Sequence, residues 1–590
     1  MFAVLEETAA RYGKRPALHQ PCGNRTYQSL TWTEYKQAVV EVACGLRTLG
    51  IKKGDVVALD SETRAEFYLA DQGIMANGSI AAALYTSYPV AERLRILRAC
   101  NARAVIVENP EALKTLREGR AESLQVPWIL LTGESPGAMS LQQLRAWGRQ
   151  ALHLFDSIRA EYGPDDYAIL YLTSGATGEP KMGLVTHAAI TANLEMGVQI
   201  LDLGPDDVTI AFLPSAHITQ RMVLELLPIR MGCPVWFSAG LSRLPAEMRE
   251  LRPTWFLAPP RVWERIHATI RSEIQKRPAP VRKLIYGALG LGEQAARWKQ
   301  EGKPLPGWMV RSLRLADALV FQRIRSRFGG RIRLAVSGSA PLGAKLARFY
   351  RAIGLPLVEG YGLTEGGIVS VNPVHRPKAG SIGVPLPGVA VRVAEDGELL
   401  VKSPAMFAGY LNDPAATQAV LRDGWLHTGD IAEIDAEGYL FITGRKKEVL
   451  VSSSGRKIYP SRIECLLKSE PLISQVLLIG DRLPYITALL TVNLEAAAGL
   501  KGLEKLRAAS PAEIIRSAPV QRELREAIRR VNEKLAGFEQ IRKFRVLEQD
   551  FSMERGELTP TLKVRRQPTL NNYQSLIQEM YSGKGEWSKP

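Results

Sequence analysis

Eleven residues, Tyr171 to Lys181 (YLTSGATGEPK), gather three aliphatic hydroxyls, two glycines and a lysine in one short run. An apolar, strand-like stretch, Tyr167 to Leu172, leads into it. Closely spaced glycines (Gly175, Gly178) let the backbone turn with its N–H groups pointing inward, a concavity that binds anions. Thr173, Ser174 and Thr177 add donors, and Lys181 adds a charge. That chemistry suits a polyphosphate. The run is not a Walker loop, G-x-x-x-x-G-K-[ST], because the lysine follows the last glycine by three residues. Taken alone, it serves equally well as a structural turn.

Further segments rich in polar and charged side chains follow in order. They are FLPSAHITQR from Phe212, SGSAPL from Ser337, EGYGLTE from Glu359, the long run Gly424 to Tyr459, and LTPTLKVRR from Leu558. With the first run they resemble the motifs of the adenylate-forming ANL superfamily, whose phosphate motif is written [ST]-S-G-[ST]-T-G-x-P-K. RVWER, Arg261 to Arg265, resembles a segment of its long-chain acyl-CoA synthetase branch. The resemblance runs from about Phe2 to Arg566.

The resemblance implies activation of a carboxylate. A carboxylic acid is a poor acyl donor because its leaving group would be oxide. Attack of the carboxylate on the α-phosphorus of ATP gives an acyl-adenylate and pyrophosphate, and a thiol then displaces AMP. Such chemistry needs positioning and positive charge more than a protein nucleophile. By the resemblance, Thr173, Ser174, Gly175, Thr177, Gly178 and Lys181 hold the outer phosphates. Gly338, Ser339 and Ala340 lie near the adenine, Tyr361 and Gly362 form its stacking platform, and Asp430 and Arg445 take the ribose. Thr364 meets the α-phosphate, and Glu365 offers a hard oxygen to Mg²⁺, which takes one or two carboxylates with phosphate oxygens. His217 lines the acyl end. Lys563 bridges carboxylate and α-phosphate, offsetting repulsion between two anions. Lys447 is the hinge on which a C-terminal domain turns between half-reactions, and Ser454, Gly455 and Arg456 lie on the route for CoA.

Three positions depart from the family pattern. The glycine after Lys181 is displaced by one, to Gly183; Gln220 precedes Arg221 where relatives carry Glu; and Ser454 stands where a glycine usually lets pantetheine pass. The reading is a long-chain fatty acid–CoA ligase using ATP, Mg²⁺ and CoA. Ser454 keeps open an enzyme that loads a carrier-protein thiol. A catalytically weak acyl-nucleotide binding protein is the alternative from another class.

The elements that must position these residues are legible in outline. The spacing predicts a strand over Asp55–Leu59, a helix over Thr63–Asn77 and a strand over Ile80–Leu84, which is β-α-β arithmetic. His187–Leu201 and Met222–Met231 read as helices; Thr209–Leu213, Pro234–Phe237, Thr254–Ala258 and Arg333–Val336 read as strands. From Gly380, short Val/Ile/Leu runs alternate with glycine and proline, as in a small β subdomain. After Gly444 the texture is α+β, with a helix over Pro460–Lys468, a strand over Val476–Ile479 and one long helix over Pro511–Ala536. The expected fold class is α/β: a large N-terminal domain of doubly wound βα sheets plus a small β subdomain, residues 1–444, and a smaller mobile α+β C-terminal domain, residues 445–590.

A chain of 590 residues is too long for one core. Its five cysteines are scattered without a C-x-x-C pair, which argues against a disulfide framework or zinc site and for a reducing cytoplasm. No signal peptide or apolar span of about 18 residues is present, so a transmembrane protein is not expected. The net charge of +16 is uneven: a helical insertion, about residues 261–333, holds seventeen Lys/Arg against five Asp/Glu. Its charges are interleaved with apolar residues. That fits an anionic membrane face or an acyl-CoA better than nucleic acid, the plain alternative being a solvated helical face. The expectation is a cytoplasmic enzyme, peripheral on the inner face of the membrane.

Overall fold

The computed structural model describes residues 1–23, 25–119, 124–174, 180–453, 455–500, 510–559, 563–582 and 586–587. Among them the largest sheet has eight strands, ordered Gly409–Tyr410, Pro180–Thr186, Tyr167–Ser174, Ile80–Ala83, Val56–Asp60, Ala104–Val107, Trp128–Leu130 and Met139–Ser140. From Tyr167–Ser174 to Met139–Ser140 neighbouring strands run parallel. Val56–Asp60, Ile80–Ala83 and Ala104–Val107 are buried along their whole length, as parallel strands covered on both faces must be.

A second sheet begins with the parallel strands Trp255–Ala258, Leu334–Ser337 and Leu357–Leu363 and ends antiparallel with Gly367–Val371 and Val384–Pro385. The expected strands and helices appear at the expected places, with shifts of one to three residues at their ends, the largest at the strand Ile473–Ile479. The segment read as a helix over Met222–Met231 starts earlier, as a π-helical stretch Gln220–Leu226, before the α-helix Leu227–Met231.

The basic insertion leaves the second sheet after Ala258 and returns at Leu334. It contains helices Pro260–Gln275, Ala279–Gln300 and Gly307–Ala316. Trp263, Ile270 and Ile274 anchor its first helix in a core shared with Phe256, Phe321 and Tyr350. A small β unit follows, built on Ala390–Val393, Glu398–Lys402, Trp425–Ile434 and Leu440–Arg445.

Beyond it the C-terminal domain has cores of its own. One joins Ile463, Leu467, Val476, Leu490, Leu524 and Phe544; another joins Leu489, Phe551, Leu558 and Met580. Its sheet runs Ile473–Ile479, Ile486–Val492, Ile541–Leu547 and Glu586–Trp587. The long helix expected over Pro511–Ala536 is two helices, Pro511–Arg516 and Ala518–Asn532. Ser517 between them is extended (φ −63°, ψ 141°) because it stands just ahead of the Ala518–Pro519 start, where proline bars a continued hydrogen-bond ladder.

Candidate nucleotide and acyl site

Three of the motif loops leave the carboxyl ends of parallel strands: the phosphate run after Tyr167–Ser174, the HIT loop after Thr209–Ala211 and the SGS loop after Leu334–Ser337. This is where open α/β sheets bind ligands. The EGYGLTE segment occupies the end of Leu357–Leu363 and the turn after it. Gly362 there must be glycine: a Cβ would lie 2.6 Å from the Gly367 carbonyl.

Asp430 is the buried centre of one cluster, 2% exposed. It pairs in register with Arg445 across two antiparallel strands, and the Arg445 Nε lies 2.9 Å from its Oδ1. The Tyr361 hydroxyl donates to its Oδ2 at 2.5 Å. Burial, then the Asp430 charge, raises the Tyr361 phenol well above its ordinary pKa, so it stays a donor. A phenol ring, a carboxylate and a guanidinium are thus fixed together by segments about 70 and 15 residues apart.

A second cluster surrounds Glu365. The Tyr410 hydroxyl donates to Glu365 Oε1 at 2.6 Å, and the Lys181 ammonium sits 4.8 Å above the centre of the Tyr410 ring. Sequence reasoning missed Tyr410; its short strand pairs Tyr410 with Gly183, a register invisible in the sequence. The displaced glycine, Gly183, stands in this pairing. A Cβ on Gly183 would come within 3.3 Å of the Phe407 ring, a tight approach, and within ordinary contact of Thr364, 3.5 Å away. Of the phosphate run, Thr173 and Ser174 end the strand opposite Lys181 and Pro180. Gly175, Thr177 and Gly178 lie outside the described residues.

His217 is held by the backbone N–H of Thr219, which donates to Nδ1 at 3.1 Å. Burial first, and the nearby Lys563 charge second, lower the His217 pKa to about 3. The neutral ring therefore carries its proton on Nε2, as a donor. Thr219 Oγ1 lies 3.1 Å from Ser339 Oγ, so the HIT and SGS loops are joined directly. Ser339 adopts a left-handed conformation, φ +71°, rare for a side chain and typical of ligand-contacting loops. Glu359, 6% exposed, accepts the N–H groups of Leu342 and Gly380 at 3.3 and 3.2 Å and braces the same loop. Burial raises its pKa to about 7.

Under this region lies a buried charge network. Gln220 brings no carboxylate, and Arg221, fully buried, forms an ion pair with Asp71 of helix Ala65–Ala76, its Nε 3.1 Å from Oδ2. Glu225 sits beside them. Burial and the Asp71 charge raise its pKa well above the ordinary range, so it holds a proton. Gln220 instead accepts the Leu213 N–H at 3.2 Å and donates to the Tyr68 hydroxyl at 2.8 Å. The nearest sequence signal was Arg221 itself, an arginine in an apolar helix.

Lys563 approaches this region from the C-terminal domain. Its loop is tied by Thr559 N–H to the Lys563 carbonyl at 2.8 Å and by Lys563 N–H to Thr559 Oγ1 at 3.1 Å. The residue is solvent-accessible. Desolvation, then the charge of Arg445, lower its amine to about 8, while Asp430 and Glu448 oppose the shift. Lys563 therefore stands within electrostatic reach of the Asp430–Arg445 cluster and of His217. Lys447 is exposed on a short turn, Lys446–Glu448. Gly455 and Arg456 lie on an exposed hairpin, with the Arg456 guanidinium 4.8 Å over Phe538. Ser454 lies outside the described residues.

The family described as AMP-binding enzyme matches residues 5–411, and that described as AMP-binding enzyme C-terminal domain matches residues 447–585. Long-chain-fatty-acid–CoA ligase FadD15 of Mycobacterium bovis is 32% identical over 584 residues, covering 96% of this chain and 94% of that protein. Long-chain-fatty-acid–CoA ligase ACSBG2 of Rattus norvegicus is 28% identical, covering 98% and 92%. Among solved structures, the anthranilate CoA ligase AuaEII with anthranoyl-AMP superposes with a TM-score of 0.74 at 21% identity over 98% of this chain and 97% of that one. The adenylation domain of a Mycobacterium chelonae carboxylate reductase superposes at 0.75 and 22%, covering 98% and 91%. A shared fold from end to end, two consecutive family matches and relatives aligned over nearly their whole length place this chain in the AMP-binding, adenylate-forming enzyme family.

Proposed function

We propose that the protein is a long-chain fatty acid–CoA ligase of AMP-forming type. The observation that carries the reading is that Lys563, His217, Tyr361, Asp430 and Arg445, from four separate runs of the chain, are linked by a hydrogen bond, an ion pair and mutual electrostatic influence. Asp430 and Arg445 are placed to take the ribose, and the Tyr361 ring to stack on adenine. The Nε2–H of neutral His217 is a donor for the acyl carboxylate. The Lys563 cation offsets repulsion as carboxylate approaches α-phosphate. Lys181, with the Thr173–Gly178 run, takes the leaving pyrophosphate.

Glu365 fits Mg²⁺. Tyr410 fixes one carboxylate oxygen, and a single hard carboxylate beside phosphate oxygens is the usual Mg²⁺ arrangement. The ion, when bound, neutralises phosphate charge; the protein's part is to hold Glu365 and Thr364 in place.

In the second half-reaction the C-terminal domain turns about Lys447, withdraws Lys563 and brings the Gly455–Arg456 hairpin toward the site, opening a route for the CoA thiol. The boundary between the moving parts is residue 444/445. The enzyme works as a peripheral protein on an anionic, cytoplasmic membrane face. Exposed Leu284, Trp308 and Leu315 (54%, 60% and 61%) share the insertion with exposed Lys276, Arg277 and Lys283. Among the described residues no helix is long and apolar enough to cross a membrane.

The test is a panel of fatty and aromatic acids read first by pyrophosphate release and then by thioester formation. Pyrophosphate release with long-chain acids and a thioester with free CoA is the expected result. A thioester only with a carrier protein would replace the acceptor, and no pyrophosphate with any acid would overturn the reading.

A further inference from the structure

RVWER opens the insertion's first helix, and its Arg261 does not point at the nucleotide site. It crosses to the C-terminal domain. Its Nη1 donates to the Ser474 carbonyl at 2.7 Å, its Nη2 to Ser474 Oγ at 2.7 Å, and the same nitrogen lies 3.5 Å from Asp550 Oδ2. The acceptors are themselves fixed: Ser474 Oγ donates to Asp550 Oδ2 at 2.9 Å, and Thr491 donates to the other Asp550 oxygen. Ser474 is 5% exposed, so this is a built socket rather than a surface encounter. A guanidinium fork on a carbonyl, a hydroxyl and a carboxylate is directional.

Around this socket the two domains are held apart by a cleft of about 1130 Å³, lined on one side by His267, Arg271 and Phe349 and on the other by Glu470, Glu495 and Leu547. With so much open space, a few polar contacts define the domain angle. Lys345–Glu470 at 3.8 Å is looser than the Arg261 fork.

From Asp550 the path to Lys563 is short and stiff. Phe551 N–H donates to Gln475 at 2.6 Å, Ser552 N–H donates to Glu557 at 3.0 Å, and Leu558 bridges Val564, the neighbour of Lys563. We propose that Arg261 is a positioning residue for adenylation: docked on Ser474 and Asp550, it sets the domain angle at which Lys563 reaches the site. The inference rests on the acyl-adenylation reading for its kinetic part, but its geometric part can be measured without turnover.

The geometric probe is a cross-link. A Cβ at Gly343 would lie 2.9 Å from Cys465 Sγ across the same interface, so Gly343→Cys is placed for oxidation to an interdomain disulfide. The left-handed backbone there (φ +85°) strains any side chain, equally in every background compared. Diamide-driven cross-linking of Gly343→Cys should be slowed roughly tenfold by adding Arg261→Ala, the scale of one hydrogen bond to a charged group. In the otherwise native chain, Arg261→Ala should lower pyrophosphate release by a similar factor and leave thioester formation from supplied acyl-adenylate intact. Arg261→Lys, which can satisfy one acceptor at a time, should recover part of both.

An unchanged cross-linking rate, or equal loss in both half-reactions, would overturn the role. If the wild-type chain releases no pyrophosphate with any acid, the functional reading fails. The cross-linking comparison would still decide whether Arg261 sets the angle.

Discussion

Tyr361 donates its phenolic proton to Asp430, 69 residues away in sequence, at 2.5 Å. One hydrogen bond thereby ties the second sheet to strand Trp425–Ile434 of the small β unit, and the same carboxylate anchors Arg445 on the neighbouring strand that leads into the C-terminal domain. On the proposed reading, a nucleotide entering this cluster would meet groups already paired and oriented, with little reorganisation left to do.

Lys563→Ala should separate the half-reactions. Its charge acts while two anions approach, so adenylation should fall by roughly 10²-fold or more, the scale for one preorganised electrostatic group. Thioester formation from supplied acyl-adenylate should survive. Equal losses in pyrophosphate release and in the supplied-adenylate assay would refute the assignment.

The same lysine gives a pH dependence with a definite sign. Its amine is lowered to about 8, so the cation needed for adenylation is present below that pH and is lost above it. The kcat/KM for adenylation, which reports the free enzyme, should therefore decline above about pH 8. Lys563→Arg, ionised throughout, should remove that decline whatever its absolute rate. A decline unchanged in the arginine variant would assign it to another group.

Lys447→Pro should leave acyl-adenylate formation and abolish transfer to CoA. Proline fixes φ and removes an N–H at the turn proposed as the pivot of the C-terminal domain. Quenched-flow analysis that found both steps lost, or neither, would place the pivot elsewhere.

Arg221→Met should destabilise the fold more than it alters chemistry. It leaves Asp71 buried without its cation beside protonated Glu225. Breaking such a buried pair costs about 3–5 kcal/mol. Arg221→Met with Asp71→Leu should recover much of that loss in denaturant unfolding. A single variant as stable as wild type would show that the pair is dispensable.

Reversing Lys276, Arg277, Arg282 and Lys283 should weaken sedimentation with anionic vesicles while leaving activity on soluble shorter acids nearly unchanged. Each cation near such a surface contributes on the order of 1 kcal/mol, screened beyond roughly 10 Å at 0.1 M salt. Undiminished binding at low salt would make this a solvated face only.

The loops were legible in the sequence because their chemistry is local: glycines, hydroxyls and charges a few residues apart. The parallel strands were legible from their apolar runs, and the helix Pro460–Lys468 from its proline start and apolar spacing. Contacts fixed by topology were not. Tyr410 reaches Glu365 only because a two-residue strand pairs with Leu184 and Gly183, and Asp71 finds Arg221 across 150 residues. The break at Ser517 was readable in Pro519, but the continuous apolar spacing on either side hid it.

The insertion departs and returns through two adjacent parallel strands, Trp255–Ala258 and Leu334–Ser337, with its first helix anchored in the core and its outer face bare. Because the two strands run parallel, the chain leaves at Ala258, at one end of their ladder, and re-enters at Leu334, at the other, so both ends of the insertion are fixed by the same pair of strands whatever lies between them. Changes confined to the outer helices would therefore alter the surface this protein presents while leaving in place the strands that carry the Ser337–Ala340 loop.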